Sequence, residues 1–289
     1  MGKMSTYPNG FSSGISIRGV AIADVAPGKV FYVGASATAL PGEKTAADTN
    51  LNGKGGTIHH PFATIEYAIS QCAANRGDII YVRPGYSETI TSASAIDLDV
   101  AGVRLIGLGH GSQMAEIEFN HAAATVAIGA DDVIIENMRF NASITGVVDG
   151  VIIEDGVDNT VIRGCLFDVD ASGTDEFVDS ISLVNNNSRV LIEDCTIDMG
   201  LGGAAVGIHA DADTAFLTVR NCVIRGDYSV ANIAGDTTLS TNLDLDGNLL
   251  ENGIGGDLNA QPCIELLTGS TGTIRDNYLV CNVANASAA

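Results

Sequence analysis

The sequence predicts an all-β chain, a parallel β-helix of stacked coils, and three observations lead there. The first is a repeat. The motif Ile135-Glu136-Asn137-Met138-Arg139-Phe140 recurs at 162–167, 192–197, 219–224, 245–250 and 274–279, in steps of 27, 30, 27, 26 and 29 residues. A period of this length marks a solenoid, a propeller or an array. The second is the chemistry of each column. Position one is always aliphatic, as a strand residue facing a core must be. Position three is only Asn, Gly or Asp, the residues that tolerate left-handed backbone at a corner. Position four runs Met138, Cys165, Cys195, Cys222, Asn248, Asn277, small or soft side chains for a narrow interior. The third is charge. Position two runs Glu136, Arg163, Glu193, Arg220, Asp246, Arg275. In coils stacked about 4.8 Å apart, each of these charges lies between opposite signs, a gain of about 0.2–1 kcal/mol per pair.

A further strand precedes each corner, at 125–128, 150–153, 180–183, 206–208 and 263–266, joined to the motif by short polar turns such as 130–132 and 185–188. Two or three short strands per turn, with no intervening helix, describe a β-helix whose coils stack in one dimension.

The chain of 289 residues is 46% apolar, enough for a sizeable core in one elongated domain. Trp is absent and aromatics are 5%, so the interior is aliphatic and narrow. The net charge is −21, and all four lysines (Lys3, Lys29, Lys44, Lys54) precede the repeats. An acidic solenoid argues against nucleic-acid partners, which require a basic face, and against anionic membranes. It allows attraction to a basic partner surface. No transmembrane or secretory run is read at the N-terminus, and Met1-Gly2-Lys3-Met4-Ser5-Thr6 fits the myristoylation pattern only loosely. The six cysteines form no Cys-x-x-Cys pair, and Cys165, Cys195 and Cys222 are expected as buried, stacked free thiols.

In chain order, residues 1–58 read as an N-terminal attachment segment and loop. It has a turn at 7–11, an alternating stretch at 14–20, and a strand at 30–33 near the first coil. The Gly-rich 53–57 lacks the phosphate-loop spacing and reads as a plain loop. Residues 59–76 read as a capping helix. Pro61 opens it, and Ile65, Ala68, Ile69 and Cys72 form an apolar stripe at helical spacing. A solenoid end exposes backbone and core, so such a cap is needed. Residues 77–281 are the β-helix and 282–289 a small polar tail. No C-terminal cap is evident, so either a loop at 251–262 or a partner must cover the last coil.

The order of 61–65 (Pro-Phe-Ala-Thr-Ile), 77–80 (Gly-Asp-Ile-Ile), 84–89 (Pro-Gly-Tyr-Ser-Glu-Thr) and 107–109 (Gly-Leu-Gly) resembles the entry to β-helices of the pectate-lyase-like superfamily. That resemblance covers 57–281 and implies a right-handed coil. The opening at 7–11 with Ile17-Arg18-Gly19 resembles the start of tailed-bacteriophage β-helix proteins of the virion structural set.

Lyases of that superfamily hold calcium through Asp residues beside an Arg or Lys base. This solenoid has no Lys, and its arginines mostly occupy the alternating column. The acid pairs Asp97/Asp99, Asp168/Asp170, Asp211/Asp213 and Asp244/Asp246 could share a face and bind calcium or split acid and nucleophile roles. Solvated turns are the expectation for them. The densest cluster, 207–213 with His209, lacks a following Arg-x-Lys, and Asp131-Asp132 lies two coils away, so His209 is read as solvent-facing. His59-His60 are read as part of the cap. No catalytic, metal-binding or cofactor-binding residue is assigned, and no cofactor is expected. The expected function is a non-enzymatic virion structural protein, a capsid decoration, head spike or fibre subunit attached through its N-terminal segment. Its expected partners are itself, as a homotrimer, and virion proteins such as the major capsid protein. Its place is the virion, assembled in the bacterial cytoplasm. The alternative is a tailspike-type polysaccharide lyase or glycosidase.

Overall fold

In the computed structural model the described residues are 16–17, 20–21, 28–34, 56–169, 175–201, 203–210, 213–235, 239–253 and 261–281. They form a parallel β-solenoid of about seven turns, the all-β architecture expected. Each coil contributes a short strand to three sheets in turn. The first sheet has nine strands, from Val30–Val33 and Ile79–Val82 through Ile134–Glu136 to Gly272–Arg275. The second has eight, from Ser87–Ile90 to Tyr278–Cys281. The third has seven, from Ile96–Asp97 to Ile264–Leu266. All pairing within these three sheets is parallel, as coil-on-coil stacking requires.

The repeat becomes registered columns. Ile135, Ile162, Ile192, Val219, Leu245 and Ile274 are successive partners in the first sheet, and the first five are fully buried. Phe140 and Phe167 stack in the second sheet with ring centroids 4.7 Å apart. The corner between these sheets is built on left-handed residues. Asn137, Gly164, Asp194, Asn221, Gly247 and Asp276 all have φ between 53° and 66°, which is why position three accepts only Asn, Gly and Asp.

The sulfur column lines the interior behind that corner. Each thiol of Cys165, Cys195 and Cys222 donates to the carbonyl two residues before it, at 3.3–3.4 Å. Hydrogen bonding with Cys165, together with burial, raises the Cys195 thiol far above its usual range. Below them the column changes to amides. Asn248 accepts from the Cys222 backbone N–H and donates to the Val219 carbonyl, both at 2.9 Å.

Three features bear on the expectations for the two ends. The helix is only Ile65–Ile69, not 59–76. Pro61 does not open it; Thr64 does, accepting from the Tyr67 N–H at 3.3 Å. The Ser70 hydroxyl returns to the Tyr67 carbonyl at 2.7 Å, a local bond that competes with further winding. Ile65, Ala68 and Ile69 still bury into the main core. Second, the first sheet begins at Val30–Val33, paired in parallel with Ile79–Val82, so part of the N-terminal segment belongs to the stack. Ser16–Ile17 and Val20–Ala21 pair as a small antiparallel hairpin. The expectations for the other residues before 56, and for 282–289, fall outside the described residues. Third, the last coil has no cover among the described residues, and residues 254–260 of the loop expected to cover it lie outside them. Gly272–Arg275 is exposed throughout, and Ile274, Tyr278 and Leu279 are half-exposed or more.

Candidate functional site

Alternation along the strands decides what the outer faces carry. In the first sheet the inward aliphatics leave position two outside, and the expected charge column is there. Arg163 lies 3.2 Å from Glu136 and 3.3 Å from Glu193. Arg220 donates to Glu193 at 2.7 Å, and Arg275 lies 3.2 Å from Asp246. Arg104, one strand earlier, reaches Glu136 at 3.9 Å. A second column runs down the second sheet. Arg139 meets Glu116 at 3.3 Å and Asp168 at 2.9 Å, and Arg225 meets Asp198 at 2.7 Å. Glu136 and Asp198 each hold the guanidinium opposite in charge-assisted bonds, which raises Arg163 and Arg225 above their usual range.

These columns absorb one acid pair and one member of another. Asp244 and Asp246 share Arg275, and Asp168 is held by Arg139. They lie on strands rather than in solvated turns, because parallel stacking brings an arginine from the adjacent coil to each. Asp170 and Asp211 lie outside the described residues, and Asp213 sits at a corner with φ 35°. Asp97 is different. Burial first, then the charges of Asp99 and Glu154, push its carboxyl up, and its Oδ1 is buried without a hydrogen-bond partner. Glu66 of the helix is also raised, by burial and by the carboxylates of Asp97, Asp99 and Glu88, although the Asp97 N–H donates to it. His59 and His60 precede the helix on an exposed turn. Among the described residues no group of three or more His, Cys, Asp or Glu side chains is placed to hold a metal ion.

The third sheet overturns the reading of His209. Ile181 and Ile208 are buried partners, and Ser182 and His209 follow them in register on the outer face. The His209 Nδ1 lies 2.7 Å from Asp179 Oδ2, and the two side chains are 18% and 15% exposed. Val206, Ala231 and Ala234 form a small apolar cluster apart from the main core, and Ala234 is the strand partner of His209. A carboxylate on Nδ1 orients an imidazole for proton transfer, and a neighbouring serine is the group such a pair can activate. The sequence pointed to His209 but not to Asp179. The available signal was spacing, since 30 residues is one coil.

A second feature stands at the corner leading into the first sheet. Gly77, Gly102, Asp132, Asn159, Arg189, Phe216 and Asn242 are all left-handed there, with φ from 56° to 78°. Arg189 and Phe216 are bulky residues in a column otherwise made of Gly, Asn and Asp, and such backbone is costly for them. Phe216 is 53% exposed. With Arg189, Leu191, Thr218 and Asp244 it lines a surface groove of about 400 Å³. Arg189 is anchored in the adjacent coil, to Asp158 and Asn159 at 2.7 and 2.6 Å.

Comparison with known proteins gives no match: no protein-family model, no curated protein and no solved structure is similar to the chain at a significant level.

Proposed function

We propose that the chain is a non-enzymatic structural subunit of a tailed-phage virion, a decoration, head spike or fibre component, on a β-helix of the pectate-lyase-like type. The single observation that carries the structural part is the ladder of Glu136, Arg163, Glu193 and Arg220. Side chains that chemistry could use are instead locked coil to coil. A body with few degrees of freedom between coils suits a spacer or a spike. The virion assignment rests on the resemblance of the opening residues and of the entry to the coils. In this reading residues 1–58 attach the protein to other virion proteins such as the major capsid protein, and three solenoids pack side by side. Quantitative mass spectrometry of purified particles tests it. Hundreds of copies per particle mean decoration and a handful mean a tail or spike position. Presence in lysate but never in particles overturns the assignment.

The half-buried Asp179–His209 pair beside Ser182 favours a second reading, hydrolysis or lysis of a bacterial surface polysaccharide. Incubation with capsular and pectic polysaccharides, with and without calcium, separates the two. New reducing ends or unsaturated products that are lost in His209→Ala would replace the structural reading with the enzymatic one.

A further inference from the structure

The thiols of Cys263 and Cys281 lie with their sulfurs 2.8 Å apart. Cys263 is buried where the chain enters the last strand of the third sheet, and Cys281 is the exposed final residue of the second. The chain between them spans 18 positions and runs through Ile264–Leu266, Gly272–Arg275 and Tyr278–Cys281. That stretch carries one strand of each of the three sheets, and its first-sheet strand is exposed throughout. The interior cysteines differ: Cys165, Cys195 and Cys222 are all buried, with no exposed thiol among them, whereas Cys263 has the exposed Cys281 beside it.

We propose that Cys263 and Cys281 are a disulfide-forming pair that closes the last coil into a covalent ring. The oxidant is a small external disulfide such as oxidised glutathione. The Cys281 thiolate, the accessible one, attacks a sulfur of that molecule, forming a mixed disulfide and expelling one thiolate. Cys263 then gives up its proton to solvent, and its thiolate attacks the Cys281 sulfur. The second small thiolate leaves as the intramolecular bond forms. The two protein thiols lose two electrons in total, and the small disulfide gains them to become two thiols. Burial, and then the neighbouring Cys281, push the Cys263 thiol up to about 12, so the closing step is the slow one. The ring fastens the exposed strand Tyr278–Cys281 to the start of Ile264–Leu266, and it restricts the opened coil far more than the closed one.

The test uses the full chain incubated with oxidised glutathione and then digested without reduction. The expected result is a Cys263–Cys281 linked peptide, an intact mass lower by two hydrogens, and amide exchange in Gly272–Arg275 and Tyr278–Cys281 slowed about tenfold or more. Cys263→Ser should leave a stable glutathione adduct on Cys281, and Cys281→Ser should give neither adduct nor link. A persistent adduct on Cys281 in the unaltered protein, a dimer joined through Cys281, or both thiols remaining alkylatable after oxidation would each overturn the proposal.

Discussion

Asn248 and Asn277 lie one above the other in consecutive coils, the Asn248 amide donating to Asn277 Oδ1 at 2.9 Å. They continue inside the solenoid the column that cysteines fill higher up. In each case the side chain meets the carbonyls at the corner, by a thiol in three coils and by an amide in the last two.

Because Asn248 is buried with both ends of its amide engaged, Asn248→Ala takes the acceptor from the Cys222 N–H and a donor from the Val219 carbonyl. A loss of about 2–3 kcal/mol is expected, read as a lower urea midpoint. A change under about 0.5 kcal/mol would show that water replaces the amide.

Asp78 is wholly buried beneath the first coil. Burial alone would push its carboxyl up, but bonds from Arg76 and from the Ala73 and Lys29 N–H groups, at 2.6–2.8 Å, outweigh this and hold it below the usual range. A carboxyl lowered on folding lends stability above its unfolded value and loses it as pH falls through the folded one. Asp78→Asn should therefore cost about 2 kcal/mol at pH 7. The gap from the unaltered protein should narrow on acidification below the ordinary carboxylate range, measured by thermal melts across pH.

Asp97 has the opposite sign. Its carboxyl is raised, so its contribution is favourable below the unfolded value and is lost as pH rises through the folded one. Asp97→Asn should stabilise the protein at pH 7 by less than about 1 kcal/mol, given the solvent screening there, and by nothing in acid. The same melts would contradict this if the variant were less stable at neutral pH.

Phe216 holds a left-handed backbone that its column otherwise gives to Gly, Asn and Asp, Arg189 apart. Phe216→Asn should raise stability by about 1 kcal/mol while removing the aromatic wall of the groove. A destabilised variant would mean that the exposed ring packs more than its exposure implies.

The coil order was legible because a 26–30-residue period writes the same demand on each column: an aliphatic inside, a left-handed residue at the corner, a charge outside. Glu136, Arg163 and Glu193 therefore meet as read. What escaped was set by neighbours rather than by local pattern. The strand Ala231–Gly235 was missed, since Ala, Asn and Gly are poor strand formers. It forms because Val206 and Ile264 lie in registered strands on either side of it, and the Asn232 amide nitrogen donates to the carbonyls of Ile224 and Glu251. The helix ran short because Thr64 and Ser70 bracket it with side-chain bonds that helical periodicity does not reveal. The partner of His209 was hidden because a motif within one coil carries no sign of a contact that spans two. Phe216 gives no signal at all until its φ is known.

The alternating column imposes a parity on the molecule. Removing one coil between Glu136 and Arg275 would set acid upon acid or guanidinium upon guanidinium at the new junction, whereas removing two in succession would restore opposite signs. Such a rod can lengthen or shorten without electrostatic conflict only by coil pairs, so its natural unit of growth is two turns of the chain rather than one.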